Sequence, residues 1–294
     1  MIVITAPTSN IGRQVVAALL DSGRPIRVVA RDPARLPALV RERVEVVEGS
    51  HGDAEVVDRA FAGADAVFWL PPPNPAAASL EAAYLDFTAP ACRAIRAHGV
   101  GRVIGVSALG RGTALAGRAG LVTASLAMDD MLAATGAGYR ALAMPSFMDN
   151  MLRQVAPIRT QGLFFSPLAA DLRLPTCATR DIAAVAARLL LDGSWSGRAD
   201  VPILGPEDLS CNDMARIMSE VLGEPVRFQQ VSFEAFAAGL IERGVSEAFV
   251  RGYVDMMRAK DEGLDGGVAR TTETSSPTSF RRWCEEVLKP AVLG

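Results

Sequence analysis

A chain of 294 residues has room for one large α/β domain or two small ones, since domains usually run to roughly 100–200 residues. Its 30 Lys+Arg against 33 Asp+Glu leave a net charge of −3 and no clustered basic surface of the kind that recruits nucleic acid through its phosphates. The opening Met1-Ile2-Val3-Ile4-Thr5 has no basic flank and an apolar run too short for a signal peptide or a membrane span, so a cytoplasmic protein without a membrane partner is expected.

From the start, short apolar runs alternate with helical patterns, the mark of βαβ units and a parallel sheet. Ile2 to Thr5 reads as a strand, and Ile11 to Leu20 as a helix with Ile11, Val15, Ala18 and Leu19 on one face, ended by Gly23. Ile26 to Ala30 is the second strand. It leads into Arg31-Asp32-Pro33, where Asp32 can cap and Pro33 can take the first helical position. Val44 to Val47, Ala66 to Leu70, Val103 to Val106 and Tyr139 to Met144 read as further strands, separated by helices over Val56 to Phe61, Leu80 to Ala97 and Leu121 to Ala134. Six strands with five crossovers predict a doubly wound sheet.

After about residue 150 the pattern changes. Leu163 to Leu174 is irregular, Ile182 to Leu191 a helix, Val201 to Leu204 a strand, Cys211 to Leu222 a helix and Val226 to Val231 a strand. Phe233 to Met257 and Ser279 to Val287 are helical. No repeat or low-complexity tract interrupts the chain.

The turn between the first strand and the first helix is Thr5-Ala6-Pro7-Thr8-Ser9-Asn10-Ile11-Gly12. A dinucleotide fold needs a tight turn here, close backbone approach to the pyrophosphate, and a helix N-terminus whose N–H groups and positive dipole face the anion. Gly12 stands where helix and strand must approach closely, while the earlier glycine positions carry Ala6 and Ser9, both small. The alternative is an ordinary strand–helix turn capped by Thr8, Ser9 or Asn10. At the end of the second strand, which meets the adenosine ribose in such folds, Arg31 suits a 2′-phosphate and so points to NADP(H); its alternative is a solvated loop arginine. Asp53 after the third strand suits an adenine amine or, equally, a helix N-cap for the residues that follow.

These residues, together with Gly63-Ala64-Asp65-Ala66-Val67-Phe68 and Val106-Ser107-Ala108-Leu109-Gly110, resemble the NmrA-like branch of the atypical short-chain dehydrogenase/reductases. Met144-Pro145-Ser146-Phe147-Met148-Asp149-Asn150, Arg180-Asp181-Ile182-Ala183, Gly205-Pro206-Glu207 and Val221-Leu222-Gly223-Glu224-Pro225-Val226 extend the resemblance over nearly the whole chain. It implies an NAD(P)-binding Rossmann domain over residues 1–150 and a smaller, mostly helical substrate-binding lobe over 151–294 with elements packing back on the Rossmann core. It also implies one of two functions: reduction of a small molecule, quinones included, or cofactor sensing without turnover. Thr5, Pro7, Thr8, Ser9, Asn10, Ile11, Gly12, Arg31, Asp53, Leu70 and Ser107 are the expected cofactor residues, and Phe147, Asn150 and Phe164 the expected substrate residues.

Scarcity limits the chemistry. Only two histidines (His51, His98), two lysines (Lys260, Lys289) and three tyrosines (Tyr84, Tyr139, Tyr253) occur. Classical relatives place a tyrosine and a lysine four residues apart on one helix, so that the ammonium eases proton transfer from the phenol. Here both lysines lie beyond residue 259, and the helix after the fifth strand offers Thr123, Ser125, Asp129 and Asp130 instead, the two aspartates simplest as solvent-facing charges. Ser107, at the end of the fifth strand, is expected to donate a hydrogen bond to a substrate oxygen; Tyr84 is a second catalytic candidate with packing as its simpler role, and Tyr139 reads as core. His51 is placed near the adenosine end, and His98 at a helix C-terminus. The cysteines Cys92, Cys177, Cys211 and Cys284 lie far apart without a C-x-x-C pair, and no metal site is expected.

An acceptor that stabilises negative charge by itself, a quinone or a polarised enone, needs little protein acid. The sequence therefore favours an NADPH-dependent reductase of a hydrophobic small molecule, with a non-enzymatic NADP(H) sensor as the competing class. A homodimer is compatible with either.

Overall fold

The computed structural model describes all residues 1–294. The chain divides into two compact units: one comprises Met1–Ser107, Ala124–Ala143 and Ile182–Val201, the other Ala108–Thr123, Met144–Asp181 and Pro202–Gly294.

In the first unit, β1 (Ile2–Thr5), α1 (Asn10–Leu19), β2 (Ile26–Ala30), α2 (Ala38–Arg41), β3 (Glu45–Glu48), α3 (Ala54–Phe61), β4 (Ala66–Trp69), α4 (Phe87–His98) and β5 (Arg102–Ala108) follow one another. The helix α5 (Leu121–Ala133) and the strand β6 (Gly138–Met144) complete the alternation. β1 and β4 are buried at every residue, so their continuous apolar sequence is that of central strands covered on both faces. Pairings β1–β2, β1–β4, β2–β3 and β4–β5 are all parallel, with Thr5 opposite Val29, Ile4 opposite Phe68 and Trp69 opposite Gly105. α1 buries Ile11, Gly12, Val15, Val16 and Leu19, and Asp32 caps the turn Pro33–Arg35 through Ala34 N, as the sequence predicts.

Further along, β7 (Ser146–Phe147), α6 (Val155–Gln161), β8 (Leu163–Ser166), β9 (Leu174–Cys177) and α7 (Thr179–Leu191) precede β10 (Arg198–Pro202). β10 joins the main sheet, which has seven strands in the order β10-β6-β5-β4-β1-β2-β3. The expected strand at Val201 to Leu204 is thus shifted toward the N-terminus. Tyr139 N donates to Gly197 O at 2.9 Å, and the Arg140 guanidinium holds the Ser196 and Gly197 carbonyls while stacking 4.4 Å from the Trp195 ring. The helix expected from Leu80 to Ala97 is continuous from Leu80 into α4 but carries a wide π-helical turn at Ala82–Asp86. That turn precedes Pro90, whose missing N–H a regular helix interior accommodates poorly.

The second unit continues with β11 (Asp208–Leu209), α8 (Cys211–Leu222), β12 (Arg227–Gln230), α9 (Phe233–Glu242) and α10 (Glu247–Asp261), and closes with α11 (Phe280–Trp283) and α12 (Lys289–Leu293), joined by a π-helical turn over Cys284–Leu288. The stretch from Leu163 to Leu174, expected to be irregular, holds β8, which pairs in parallel with β12 from Leu163 opposite Arg227 to Ser166 opposite Gln230. Its strand character comes from a partner more than sixty residues away, which no local pattern signals. The core of this unit gathers Phe164, Met218, Phe280, Trp283 and Leu288, all nearly inaccessible.

Candidate active site

The strand order reverses between β1 and β4: the chain runs outward from β1 through β2 and β3, then returns to build β4, β5 and β6 on the other side. A ligand of an open α/β sheet binds at such a switch point, beyond the carboxyl ends of the strands. The residues there are shaped for an anion. Ala6 takes φ +49, the one positive φ outside the glycines, a conformation costing an L-residue roughly 1–2 kcal/mol. Its carbonyl accepts from Ser9 N at 3.0 Å, and Ser9 Oγ caps α1 by accepting from Gly12 N at 2.9 Å. Gly12 lies against the inside of this turn, where a Cβ would stand 2.1 Å from Ala6 O and 2.9 Å from Ser9 Oγ. The helix start is therefore drawn in as closely as a glycine allows. Its first-turn N–H groups face the carboxyl edge of the sheet, which fits a dinucleotide pyrophosphate. Pro7 and Ile11 are buried beside the turn, Thr8 is exposed, and Asn10 Oδ1 accepts from Arg13 Nη2 at 2.7 Å.

Thr5 works inside the sheet. Its hydroxyl donates to Phe68 O and accepts from Leu70 N, each at 2.9 Å, and so ties β1 to the end of β4 at the switch point. The Leu70 carbonyl is held as well, by His51 Nε2 at 3.0 Å. His51 is buried, edge-on to the rings of Trp69 and Phe87. A carbonyl only accepts, so Nε2 carries a proton. Burial pushes the imidazole pKa down to about 4, the Leu70 bond opposes that shift, and the Arg31 charge adds to it. Arg31 itself is exposed at the end of β2, on the β2–β3 side of the switch point.

The depressed His51 pKa makes stability depend on pH. With 6.5 as the unfolded value and about 4 in the fold, the unfolded chain binds the extra proton first. The His51 contribution is complete above pH 6.5 and is lost as pH falls from there through about 4, amounting to about 3 kcal/mol in all. Urea unfolding between pH 7 and pH 4 should show this slope in the wild type and a shallower one in His51→Gln, whose amide can still donate to Leu70 O. Equal slopes would remove His51 from the account.

On the other side of the switch point, the carboxyl end of β5 carries Ser107, two strands from β1 and so about 10 Å from the phosphate turn at ordinary strand spacing. Its hydroxyl donates to Asp129 Oδ2 of α5. Asp129 is completely buried, contrary to the expectation of a solvent-facing charge, and its Oδ1 accepts from Tyr139 Oη at 2.6 Å. Asp130, the next residue, is the exposed one and pairs with Arg198 at 2.7 Å. Tyr139 is core, as expected, but its phenol reaches Asp129 only because β5 carries Gly105: a Cβ there would stand 2.1 Å from Tyr139 Oη. The Ser107 proton, expected to serve a substrate oxygen, is thus given to Asp129, and what Ser107 can offer a ligand is its lone pairs.

The remaining candidates separate clearly. Tyr84, in the wide turn before α4, is half-buried and packs on the core. Asp53 caps α3, accepting from Glu55 N at 2.9 Å and Val56 N at 3.4 Å. Lys260 is buried in an ion pair with Asp265. All four cysteines are free and buried. In the second unit Phe164 is 1 % exposed, with its ring 5.2 Å from that of Phe228, whereas Phe147 is half-buried on β7 and Asn150 is exposed just after it. No helix is long and apolar enough to cross a membrane.

Comparison with known proteins bears on the family and the fold. The chain is 29% identical over 294 residues to a (4-alkanoyl-5-oxo-2,5-dihydrofuran-3-yl)methyl phosphate reductase of Streptomyces griseus, covering 97% of each chain. It is 25% identical over 283 residues to quinone oxidoreductase 2 of Escherichia coli, covering 94% of this chain and 92% of that one. Its fold is that of Citrobacter sp. triphenylmethane reductase, solved with NADP(H), at a TM-score of 0.79 and 20% identity, covering 96% of this chain and 98% of the other. Residues 8–192 match the family model described as NAD(P)H-binding, a span that begins in the phosphate turn and ends just beyond α7, and the chain belongs to that NAD(P)H-binding family.

Proposed function

We propose that this protein is an NADPH-dependent reductase of electron-poor, hydrophobic small molecules, quinones and polarised enones among them. The observation that carries the reading is the turn from Thr5 to Gly12 at the strand switch point, with Arg31 on one side and Ser107 on the other. An elongated dinucleotide with its pyrophosphate at α1 lays its adenosine half toward Arg31 and its nicotinamide half toward Ser107. The bound nicotinamide supplies a hydride, and the second hydrogen of the reduced acceptor arrives as a proton from water.

The protein's own part is binding and orientation. The start of α1 takes the pyrophosphate, Arg31 pairs with a 2′-phosphate, and the doubly held Leu70 peptide gives the ligand a fixed edge between them. Phe147 and Asn150 are the residues we assign to substrate recognition. No side chain near Ser107 is placed as the tyrosine–lysine pair is in classical relatives, so the acceptor must tolerate negative charge without a protein acid. Two relatives are reductases of acceptors that tolerate negative charge in this way, an alkanoyl-substituted oxo-dihydrofuranylmethyl phosphate and a quinone.

Steady-state NADPH oxidation across a panel of acceptors tests the reading. Quinones and doubly activated alkenes should be turned over, and simple aliphatic ketones should not. Fast turnover of an aliphatic ketone would mean that a proton donor has been missed, with Tyr84→Phe the first variant to examine. Tight NADPH binding with no turnover across the panel would replace the reductase by a cofactor sensor.

A further inference from the structure

Beneath the expected nicotinamide end the fold buries a charge that the reductase reading does not use. Asp129 has no exposed surface, and its two oxygens accept from the Ser107 and Tyr139 hydroxyls. A hydroxyl partner at each oxygen is the pairing that an ionised carboxylate requires. Three elements cooperate to make it: β5 presents Ser107, α5 the acid and β6 the tyrosine, with Gly105 leaving room for the phenol. A buried charge costs several kcal/mol even when bonded, and replacing such a group by an apolar one is often neutral or stabilising. The arrangement therefore calls for more than a stability rationale.

We propose that Asp129 is a positioning residue of the nicotinamide site, a buried negative charge that acts through Ser107 to favour the oxidised, positively charged form of the bound dinucleotide over the reduced form. The inference rests on the cofactor placement given above. With its proton directed inward to Asp129, Ser107 turns lone pairs outward and accepts from an N–H donor such as the nicotinamide carboxamide. The carboxylate behind it is fixed in place before any reaction. As hydride leaves, the ring it leaves becomes positive, and a preorganised negative charge in a water-excluded position stabilises that change without reorganising. The Arg198 guanidinium feels the Asp129 charge but is itself bonded to Asp130 at 2.7 Å. Two electrons and one proton pass together as hydride from the reduced cofactor to the acceptor, and water supplies the second proton.

Dissociation constants of NADP+ and NADPH, measured by calorimetry for the wild type and Asp129→Asn, test this without any acceptor. The amide can keep both contacts, accepting from Ser107 through its oxygen and donating to Tyr139 Oη through its nitrogen, while removing the charge. NADP+ should weaken about tenfold and NADPH by less than about twofold, the scale of one charge acting at this range through protein. Equal weakening of both, or an unchanged ratio, overturns the inference while leaving the reductase reading intact. Failure of the wild type to bind either form overturns that reading and the inference with it. Should the variant not fold, infrared difference spectra of wild-type protein carrying 13C-labelled aspartate, NADP+ against NADPH, decide the matter. A carboxylate band that shifts between the two forms supports the proposal; a carboxylic-acid carbonyl band in its place overturns it.

Discussion

Replacing Gly12 by valine is expected to abolish dinucleotide binding while leaving a folded protein. The new Cβ would fall 2.1 Å from Ala6 O and 2.9 Å from Ser9 Oγ, and the first of these is backbone that cannot rotate away. Relief requires either the turn or the start of α1 to move outward. Either movement spoils the alignment of helix N–H groups with a pyrophosphate. Overpacking of this kind costs about 1–3 kcal/mol of stability, which a domain of ordinary stability survives. Calorimetric titration should therefore show NADPH affinity down by at least about a hundredfold, a loss of about 2.7 kcal/mol, with a thermal midpoint only several degrees lower. Binding within about threefold of wild type would place the pyrophosphate elsewhere.

Removal of the Arg31 guanidinium should separate the two cofactors. A hydrogen bond to a charged partner contributes about 1.5–3 kcal/mol, so Arg31→Ala should weaken NADPH by roughly one to two orders of magnitude and leave NADH nearly unchanged. The same variant has a second readout. The Arg31 charge helps to hold the His51 pKa down, so its loss should move the acid limb of the stability curve slightly, with burial still dominating. Equal loss of NADPH and NADH affinity would show that Arg31 does not meet the 2′-phosphate.

The turn and helix start to which we assign the cofactor were legible in the sequence because their determinants are local. A strand, a turn of small residues, Gly12 and an amphipathic helix occupy fewer than twenty consecutive residues, and Asp32 and Pro33 announce their own capped turn. The chemistry at the other end was not. α5 is buried on nearly all sides, from Leu121 and Val122 through Ser125, Leu126 and Met128, so its pattern has no clear polar face. Of the adjacent pair Asp129 and Asp130, nothing local tells which points inward. Tyr139 reads as core from its apolar strand, and only its position across Gly105 on the neighbouring strand gives its phenol a partner.

By itself, then, the sequence determined the alternation of strands and helices through β6, the tight turn from Thr5 to Gly12 and the family, because periodicity, capping and turn chemistry act over a few residues. The tertiary structure alone decided that β10 extends the sheet, that β8 pairs with β12, that His51 clamps the Leu70 peptide, and that Ser107 gives its proton to a buried Asp129. Each of these depends on a partner at least nineteen residues distant in the chain, and a hydroxyl or an imidazole acquires its role from the group that packing sets against it.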